Sequence, residues 1–173
     1  TQQKIAAILD AADAHRQKTK ALLAKYDALA QSIFLDMFGN PVRNEKGWEV
    51  KNLGELGTTK SGGTPSRKRP DYFKGDIPWI TTVSLSRRNI NESDAMEMIT
   101  HQAVAESATK LIPKGSIMIG TRVGVGKASI IDCDMCSSQD ILALTEISNK
   151  INKTFLLTLI GHYSLVLNQN KRG

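Results

Sequence analysis

Cysteine, aromatic residues and long apolar runs are all scarce in this chain of 173 residues. Its two cysteines, Cys133 and Cys136, have the spacing of half a zinc site or of a redox pair. No second cysteine pair follows, and His15, His101 and His162 show no ligand spacing. We therefore interpret both cysteines as structural thiols in a reducing cytosol. With no signal peptide and no run long enough to cross a membrane, the sequence predicts a cytoplasmic protein.

Motifs for catalysis and for cofactor binding are also missing. The run Asn40-Pro41-Val42 lacks the second proline and the aromatic residue of an adenine methyltransferase motif. The run from Gly120 to Lys127 fails as a phosphate-binding loop, because five residues separate Gly120 from Gly126 and Ala128 follows the lysine. No carboxylate cluster typical of nucleases is present. We predict no catalytic residue, no metal site and no cofactor.

Positive charge is in excess and is concentrated in one region. The chain carries 23 basic and 17 acidic side chains, for a formal charge of +6. Between Lys60 and Arg88 there are seven basic and two acidic residues, which leaves a local charge of +5. Such a patch suggests a polyanionic partner, most simply nucleic acid. A merely solvated basic face is the alternative.

Residues 3–38 have the pattern of one long helix with a heptad seam. Gly39 and Pro41 are ordinary stop signals, whereas His15 and Arg16 weaken the middle of the seam. Such a helix is about 50 Å long. It either folds back on its own domain or pairs with an equivalent helix. The apolar seam residues that we assign to a partner helix are Ile5, Leu9, Leu22, Tyr26, Leu29 and Ile33.

The remaining sequence predicts a polar linker at 40–47 and a compact domain at 48–173. Strands are expected at 55–60, 77–81, 95–99, 116–120, 127–131 and 141–145. Thr100 is a plausible N-cap for a short helix through Ala108, and 152–168 has helical spacing despite Gly161. The predicted fold class is α/β (α+β), with a long N-terminal coiled-coil-type helix at 1–39 followed by a mixed-sheet domain. The opening residues from Thr1 look like the interior of a longer protein.

The richest segment for binding is Ser61 to Ile80. It combines a flexible Ser/Gly loop, a tribasic run and a short apolar strand that would hold the loop in place. Hydroxyls, backbone N–H groups and basic side chains are the usual donors to phosphate oxygens. A solvated turn that happens to be basic would have the same composition.

Two other loops offer basic side chains. Glycines at 120, 124 and 126 would let the backbone approach a groove, while Arg122 and Lys127 supply charge. Arginine can donate two hydrogen bonds to guanine, whereas lysine more often holds phosphate. Alternatively, Arg122 lies in a β-turn and pairs with a neighbouring carboxylate. Arg87 and Arg88 form a second basic loop with the same ambiguity.

Two polar or aromatic residues have competing interpretations. Gln139 could read adenine through its amide, but the polar start of a buried strand is the favoured interpretation. Trp79 could stack on a base, but its apolar neighbours favour a position in the core.

Several short motifs, in this order, resemble those of a known family. They are Gly62-Gly63-Thr64-Pro65, Asp71-Tyr72-Phe73, Ile77-Pro78-Trp79-Ile80, Ile99-Thr100, Leu111-Ile112-Pro113-Lys114-Gly115, Gly120-Thr121-Arg122 with Val125-Gly126-Lys127, and Ser138-Gln139-Asp140-Ile141. Together they are similar to a target recognition domain of the specificity (S) subunit of type I restriction–modification systems. The resemblance covers roughly residues 48–144, and the N-terminal helix also fits this family.

The resemblance implies a DNA reader without catalytic activity, which binds one half of a split double-stranded site. Its partners would be the methyltransferase (M) and restriction (R) subunits and, through the long helix, a second recognition half. The implied DNA-binding residues are Lys60, Ser61, Thr64, Ser66, Arg67, Lys68, Arg69, Arg87, Arg88, Arg122, Lys127 and Gln139.

Three alternatives stay open at this point. A full S subunit has two recognition domains and two such helices, so this chain is either a piece of one or a half that pairs with its own copy. A pure interaction module built on the helix, with only non-specific DNA affinity, is the second functional hypothesis. A regulator of nucleotide hydrolysis built on Gly120–Lys127 is the third.

Overall fold

The computed structural model describes residues 1–170, with side chains through Ser164. It divides into two units, Thr1–Trp48 and the part of the chain from Glu49 onwards. The first unit consists of helix α1, Gln2–Phe38, and the turn that follows it. The predicted order, a long helix followed by a mixed-sheet domain, is confirmed.

Helix α1 ends where the glycine predicts. Gly39 adopts a positive φ of 76° and its N–H donates to the carbonyl of Leu35. The indole N–H of Trp48 donates to the Phe38 carbonyl at 2.9 Å, and the Lys46 ammonium caps the carbonyls of the same last turn. Trp48 therefore belongs with the end of the helix, whereas the sequence analysis placed it at the start of the second unit.

The apolar seam of α1 is exposed along the helix. Each of the six seam residues that we assigned to a partner helix has half or more of its surface accessible. Their exposed fractions are Ile5 55%, Leu9 63%, Leu22 50%, Tyr26 60%, Leu29 55% and Ile33 51%. A row of large apolar side chains at helical spacing favours contact with a second apolar surface.

The second unit contains eight strands and three helices within the described residues. They are α2 (Leu53–Leu56), β1 (Thr58–Ser61), β2 (Ile77–Ile80), β3 (Asn89–Ile90), β4 (Glu97–Ile99), α3 (His101–Ala105), β5 (Ile117–Gly120), β6 (Ala128–Ile131), β7 (Cys136–Ser137), β8 (Ile141–Thr145) and α4 (Lys153–Asn170). Five strands form one mixed sheet in the order β1-β8-β5-β6-β3, and three form a second in the order β4-β2-β7. Two 3₁₀ turns, Pro70–Phe73 and Glu92–Asp94, lie in the connections.

Most predicted strands are present, although the strand expected at 95–99 begins at Glu97. The strand expected at 55–60 begins only at Thr58, because Asn52 and Glu55 form a capping box that starts the short helix α2. The two-residue strands β3 and β7 were not predicted, since neither is long enough to show an alternating pattern. Thr100 does cap α3 through its hydroxyl at 3.1 Å, but that helix ends at Ala105 rather than Ala108.

Three apolar clusters hold the second unit together in layers. The first lies between the two sheets and includes Ile80, Met118 and Ile141. The second lies on the other face of the five-stranded sheet, where Leu156 of α4 packs with Leu144. The third joins the three-stranded sheet to α3 and the 3₁₀ turn at Pro70–Phe73. Both sheets are thus supported from both sides, which fixes the loops at their ends.

None of the helices in the described part of the chain combines the length and the apolarity needed to span a bilayer.

Candidate nucleic-acid interface

The strand register gathers the predicted binding loops at one end of the five-stranded sheet. Ser61, the last residue of β1, pairs with Leu142, and Gly120, the last residue of β5, pairs with Ile141. The loop after β1, the β5–β6 hairpin and the turn before β8 therefore lie together. Because β3 runs parallel to β6, the basic loop that enters β3 at Asn89 reaches the same end. Four connections far apart in sequence thus lie at one end of the sheet.

The Ser/Gly loop is fixed by hydrogen bonds, not flexible as the sequence analysis expected. The N–H of Gly62 donates to Ile141 at 3.0 Å and that of Gly63 to Ser137 at 2.8 Å. The Trp79 indole N–H donates to the Gly63 carbonyl at 3.0 Å. A Cβ at Gly62 would lie 2.2 Å from the Ser138 carbonyl oxygen. The glycines therefore serve close packing between the two sheets rather than the approach of a ligand.

Trp79 lies in the core, as favoured, with an exposed fraction of 2%. Its burial excludes stacking on a base. Gln139, by contrast, is exposed and lies in the turn before β8, so the favoured interpretation of a buried strand start is wrong. The carbonyl of the next residue, Asp140, accepts hydrogen bonds from the backbone N–H and the hydroxyl of Thr121 in the neighbouring hairpin, and these bonds fix the turn. The Gln139 amide oxygen also accepts a hydrogen bond from the Thr64 hydroxyl.

The two arginines of the tribasic run are held in different places by carboxylates. The Arg67 guanidinium lies 2.6 Å from Glu97 and stacks over the rings of Phe73 and Trp79, at 4.3 and 5.4 Å. Hydrogen bonding to Glu97 raises the pKa of Arg67. These contacts orient Arg67 and offset its charge.

Arg69 is held by other groups. It lies 2.7 Å from Asp71 and 4.4 Å above the ring of Tyr72, whose hydroxyl donates to Glu106. The hydrogen bond from Arg69 lowers the pKa of Asp71, and the bond from Tyr72 lowers that of Glu106. Arg69 therefore belongs to a surface network of opposite charges.

The loop before β3 contains one paired and one unpaired arginine. Arg87 lies 2.5 Å from Asp94, whose side chain is only 8% exposed. Arg88 is exposed, and within the described residues no carboxylate lies in salt-bridge distance of it. The backbone here is fixed, because the carbonyls of Arg87 and Arg88 accept from the Ser129 hydroxyl and the Ile130 N–H at 2.6 and 2.8 Å.

The segment from Gly120 to Lys127 is a tight hairpin between two antiparallel strands. The Gly120 N–H donates to the Lys127 carbonyl at 2.8 Å, and Gly124 and Gly126 have positive φ values of 61° and 80°. A nucleotide phosphate loop instead connects a strand to a helix, so the structure contradicts the nucleotide hypothesis. Arg122 is exposed at the tip. It forms no ion pair with any residue that the structure describes, contrary to the alternative of a turn arginine bound to a carboxylate.

Three of the eight basic residues predicted to bind DNA are thus paired with carboxylates: Arg67, Arg69 and Arg87. The sequence analysis counted Asp71, two residues from Arg69, only as part of the net charge. It missed Glu97 and Asp94, which lie 30 and 7 residues from their arginines and outside the basic segment. Within the described part of the chain, the remaining five form no ion pair. These are Lys60, Lys68, Arg88, Arg122 and Lys127.

Cys133 and Cys136 are free thiols, and burial raises the pKa of Cys136 to about 11. Over the residues that the structure describes, no group of three His, Cys, Asp or Glu side chains lies close enough together to hold a metal ion.

Exposed cations grouped at one end of a rigid sheet form a surface suited to a polyanion. Such a surface is typical of a nucleic-acid-binding protein, and the family comparison agrees with this class. Residues 45–173 match the model of the type I restriction modification DNA specificity domain, so the chain belongs to that family.

Curated relatives and solved structures are similar to this chain. It is 36% identical over 95 residues to the type I restriction enzyme MjaIX specificity subunit of Methanocaldococcus jannaschii, a match covering 54% of this chain and 22% of that protein. It is 35% identical over 118 residues to the EcoR124I/EcoR124II specificity subunit of Escherichia coli, covering 65% and 28%. The chain thus spans about a quarter of the length of these relatives.

In structure, the HsdS subunit from Thermoanaerobacter tengcongensis matches 95% of this chain and 40% of its own, with a TM-score of 0.60 and 15% identity. A chain from a study of complex assembly in the type I R-M system matches 95% of this chain and 41% of its own, with a TM-score of 0.59 and 17% identity. These likenesses establish the fold.

Proposed function

We propose that this chain is one DNA-recognition half of a type I restriction–modification specificity subunit. Residues 1–39 form the spacer helix, 40–48 the linker and 49–173 the target recognition domain, whose last three residues lie outside the described structure. The chain binds one half of a split double-stranded site and has no catalytic role. Methylation and cleavage belong to the M and R subunits, which it positions on DNA.

The observation that carries this proposal is the group of unpaired cations on loops that share one end of the sheet. Lys68, Arg88 and Lys127 would neutralise phosphates, a contact that fixes register without reading sequence. Arg122, exposed at the tip of a rigid hairpin, is the first candidate for a base edge. The proposed DNA-binding residues also include hydroxyl and amide side chains of the same loops, which are Ser61, Thr64, Ser66 and Gln139.

The exposed seam of α1 supports the second part of the proposal, a partner helix from another recognition half. At 1.5 Å per residue, its 37 residues are about 55 Å long. That length corresponds to about 16 base-pair steps of 3.4 Å. Such a helix would set the spacing between two half-sites, and would present its other face to the M subunits.

The test is selection from a randomised double-stranded DNA library at moderate salt, followed by sequencing of the recovered molecules. We expect a short enriched motif, and a mirrored pair at fixed spacing if two copies pair through α1. Arg122→Ala should erase one position of the motif. Lys150→Ala removes an exposed cation that follows β8 at the opposite end of the sheet, and should leave the motif intact. Uniform weak binding, with and without M subunits, would support the interaction module instead.

A further inference from the structure

Among the basic residues at this end of the sheet, Arg87 differs from its neighbours in the burial of its partner. The side chain of Asp94 is 8% exposed, against 33% for Glu97 beside Arg67 and 54% for Asp71 beside Arg69. A carboxylate so far from water holds its arginine more firmly than an exposed one, because solvent screens the pair less.

Asp94 is itself fixed on three sides. One carboxylate oxygen, Oδ1, accepts from the Arg87 guanidinium, and the other, Oδ2, accepts the backbone N–H of Asn91 at 3.1 Å. The Asp94 carbonyl accepts the Ser84 hydroxyl at 2.7 Å. The Arg87 backbone is anchored separately by Ser129. Both ends of the arginine side chain are therefore held, although the side chain itself remains 68% exposed.

This geometry changes what Arg87 can contribute to binding. Paired with Asp94, it adds little net charge and hence little long-range attraction to phosphates. Its guanidinium has five N–H groups, of which Asp94 takes one, so a free edge with two parallel donors remains. Two parallel donors match the O6 and N7 acceptors that guanine presents in the major groove.

We propose that Arg87 is a specificity-determining residue that reads one guanine, and that Asp94 is the positioning residue that orients it. The adjacent Arg88, which has no carboxylate partner in the described part of the chain, then contacts phosphate. This inference rests on the proposed function, since it assigns a base contact to the same DNA surface.

The chain offers matched variants for the test. Arg87→Lys keeps the charge and loses the two-pronged donor, and Asp94→Asn keeps an acceptor for Asn91 but no longer holds the guanidinium. Both should relax the same guanine position of the selected motif, where discrimination falls from about tenfold or more to about threefold or less. Arg88→Ala should weaken binding to all sequences alike and lower the salt slope by about one.

A second measurement uses the unaltered protein and so does not depend on variants that fold. Replacing that guanine by 7-deazaguanine removes N7 and should weaken binding about tenfold, whereas Arg87→Ala, which has no donor for N7, should be nearly insensitive to the same replacement. If the protein selects a motif that lacks guanine, or one that Arg87→Lys, Asp94→Asn and 7-deazaguanine leave unchanged, the inference is wrong while the proposed function stands. If no motif is selected at all, the proposed function itself fails.

Discussion

Because three of the basic side chains are paired with carboxylates, the structure predicts how steeply the affinity for DNA falls as the salt concentration rises. Each phosphate neutralised by a cation on duplex DNA contributes about −0.9 to the slope of log K against log salt. If Arg122 contacts a base, the other four unpaired cations bind phosphates and the three paired arginines do not, the slope is about −3.6. Between 50 and 200 mM salt the affinity should then fall about 150-fold. If all eight cations acted, the slope would be about −7 and the loss about 20,000-fold.

Fluorescence anisotropy with a labelled duplex, titrated at several salt concentrations, measures this slope directly. Glu97→Gln frees Arg67 and should make the slope steeper by about 0.9. Because Arg67 and Glu97 form a surface pair, the same change should alter the free energy of unfolding by less than about 1 kcal/mol. A slope near −7 in the unaltered protein, or no response to Glu97→Gln, would show that the ion pairs open on binding and would refute the reasoning.

Three further predictions concern stability and association. Gly63→Ala should lower the free energy of unfolding by about 1–3 kcal/mol in chemical denaturation, because its Cβ would lie 2.4 Å from the backbone at Thr109. Between about pH 9 and pH 11 the protein should lose about 2–3 kcal/mol of stability, because burial raises the pKa of the Cys136 thiol and the unfolded chain therefore ionises first. Cys136→Ala should abolish this loss. Leu22→Asp on the α1 seam should reduce self-association in sedimentation equilibrium.

Each of these has a matched control in the chain. Gly161→Ala has open space around its Cβ within a helix and should raise stability by about 0.5–1 kcal/mol. Cys133→Ala, at a half-buried thiol, should change the alkaline profile less than Cys136→Ala. Ala24→Asp, two residues and about 200° around the helix from Leu22, should leave association unchanged. Equal effects of target and control would contradict the corresponding assignment.

The sequence predicted the strands well where apolar residues are continuous and buried. Ile77–Ile80 and Ile141–Thr145 appear nearly as expected, because every residue of the first and most of the second face a core. The short strands β3 and β7 have only two residues each. They exist because neighbouring strands supply their hydrogen-bond partners, and this information is not local in sequence.

The candidate site was predicted by residue type but not by environment. The tribasic run reads as one positive patch, yet Arg67 and Arg69 lie on different aromatic rings beside different carboxylates. Glu97 and Glu106 are about thirty residues or more away in sequence, so only the fold brings them to these arginines. Net charge in a segment therefore overstates the number of cations available to a polyanion.

The glycines of the Ser61–Ile80 segment show how one residue type serves opposite roles. The sequence placed Gly62 and Gly63 in a flexible binding loop, but their missing side chains allow two sheets and the segment after α3 to meet. The glycines of the β5–β6 hairpin instead take positive φ values that a tight turn requires, and they place Arg122 outward. The rigid loop at Gly62 and Gly63 and the exposed hairpin at Arg122 are both needed if the surface is to discriminate between DNA sequences. A base contact contributes to specificity only when its donor is held in place.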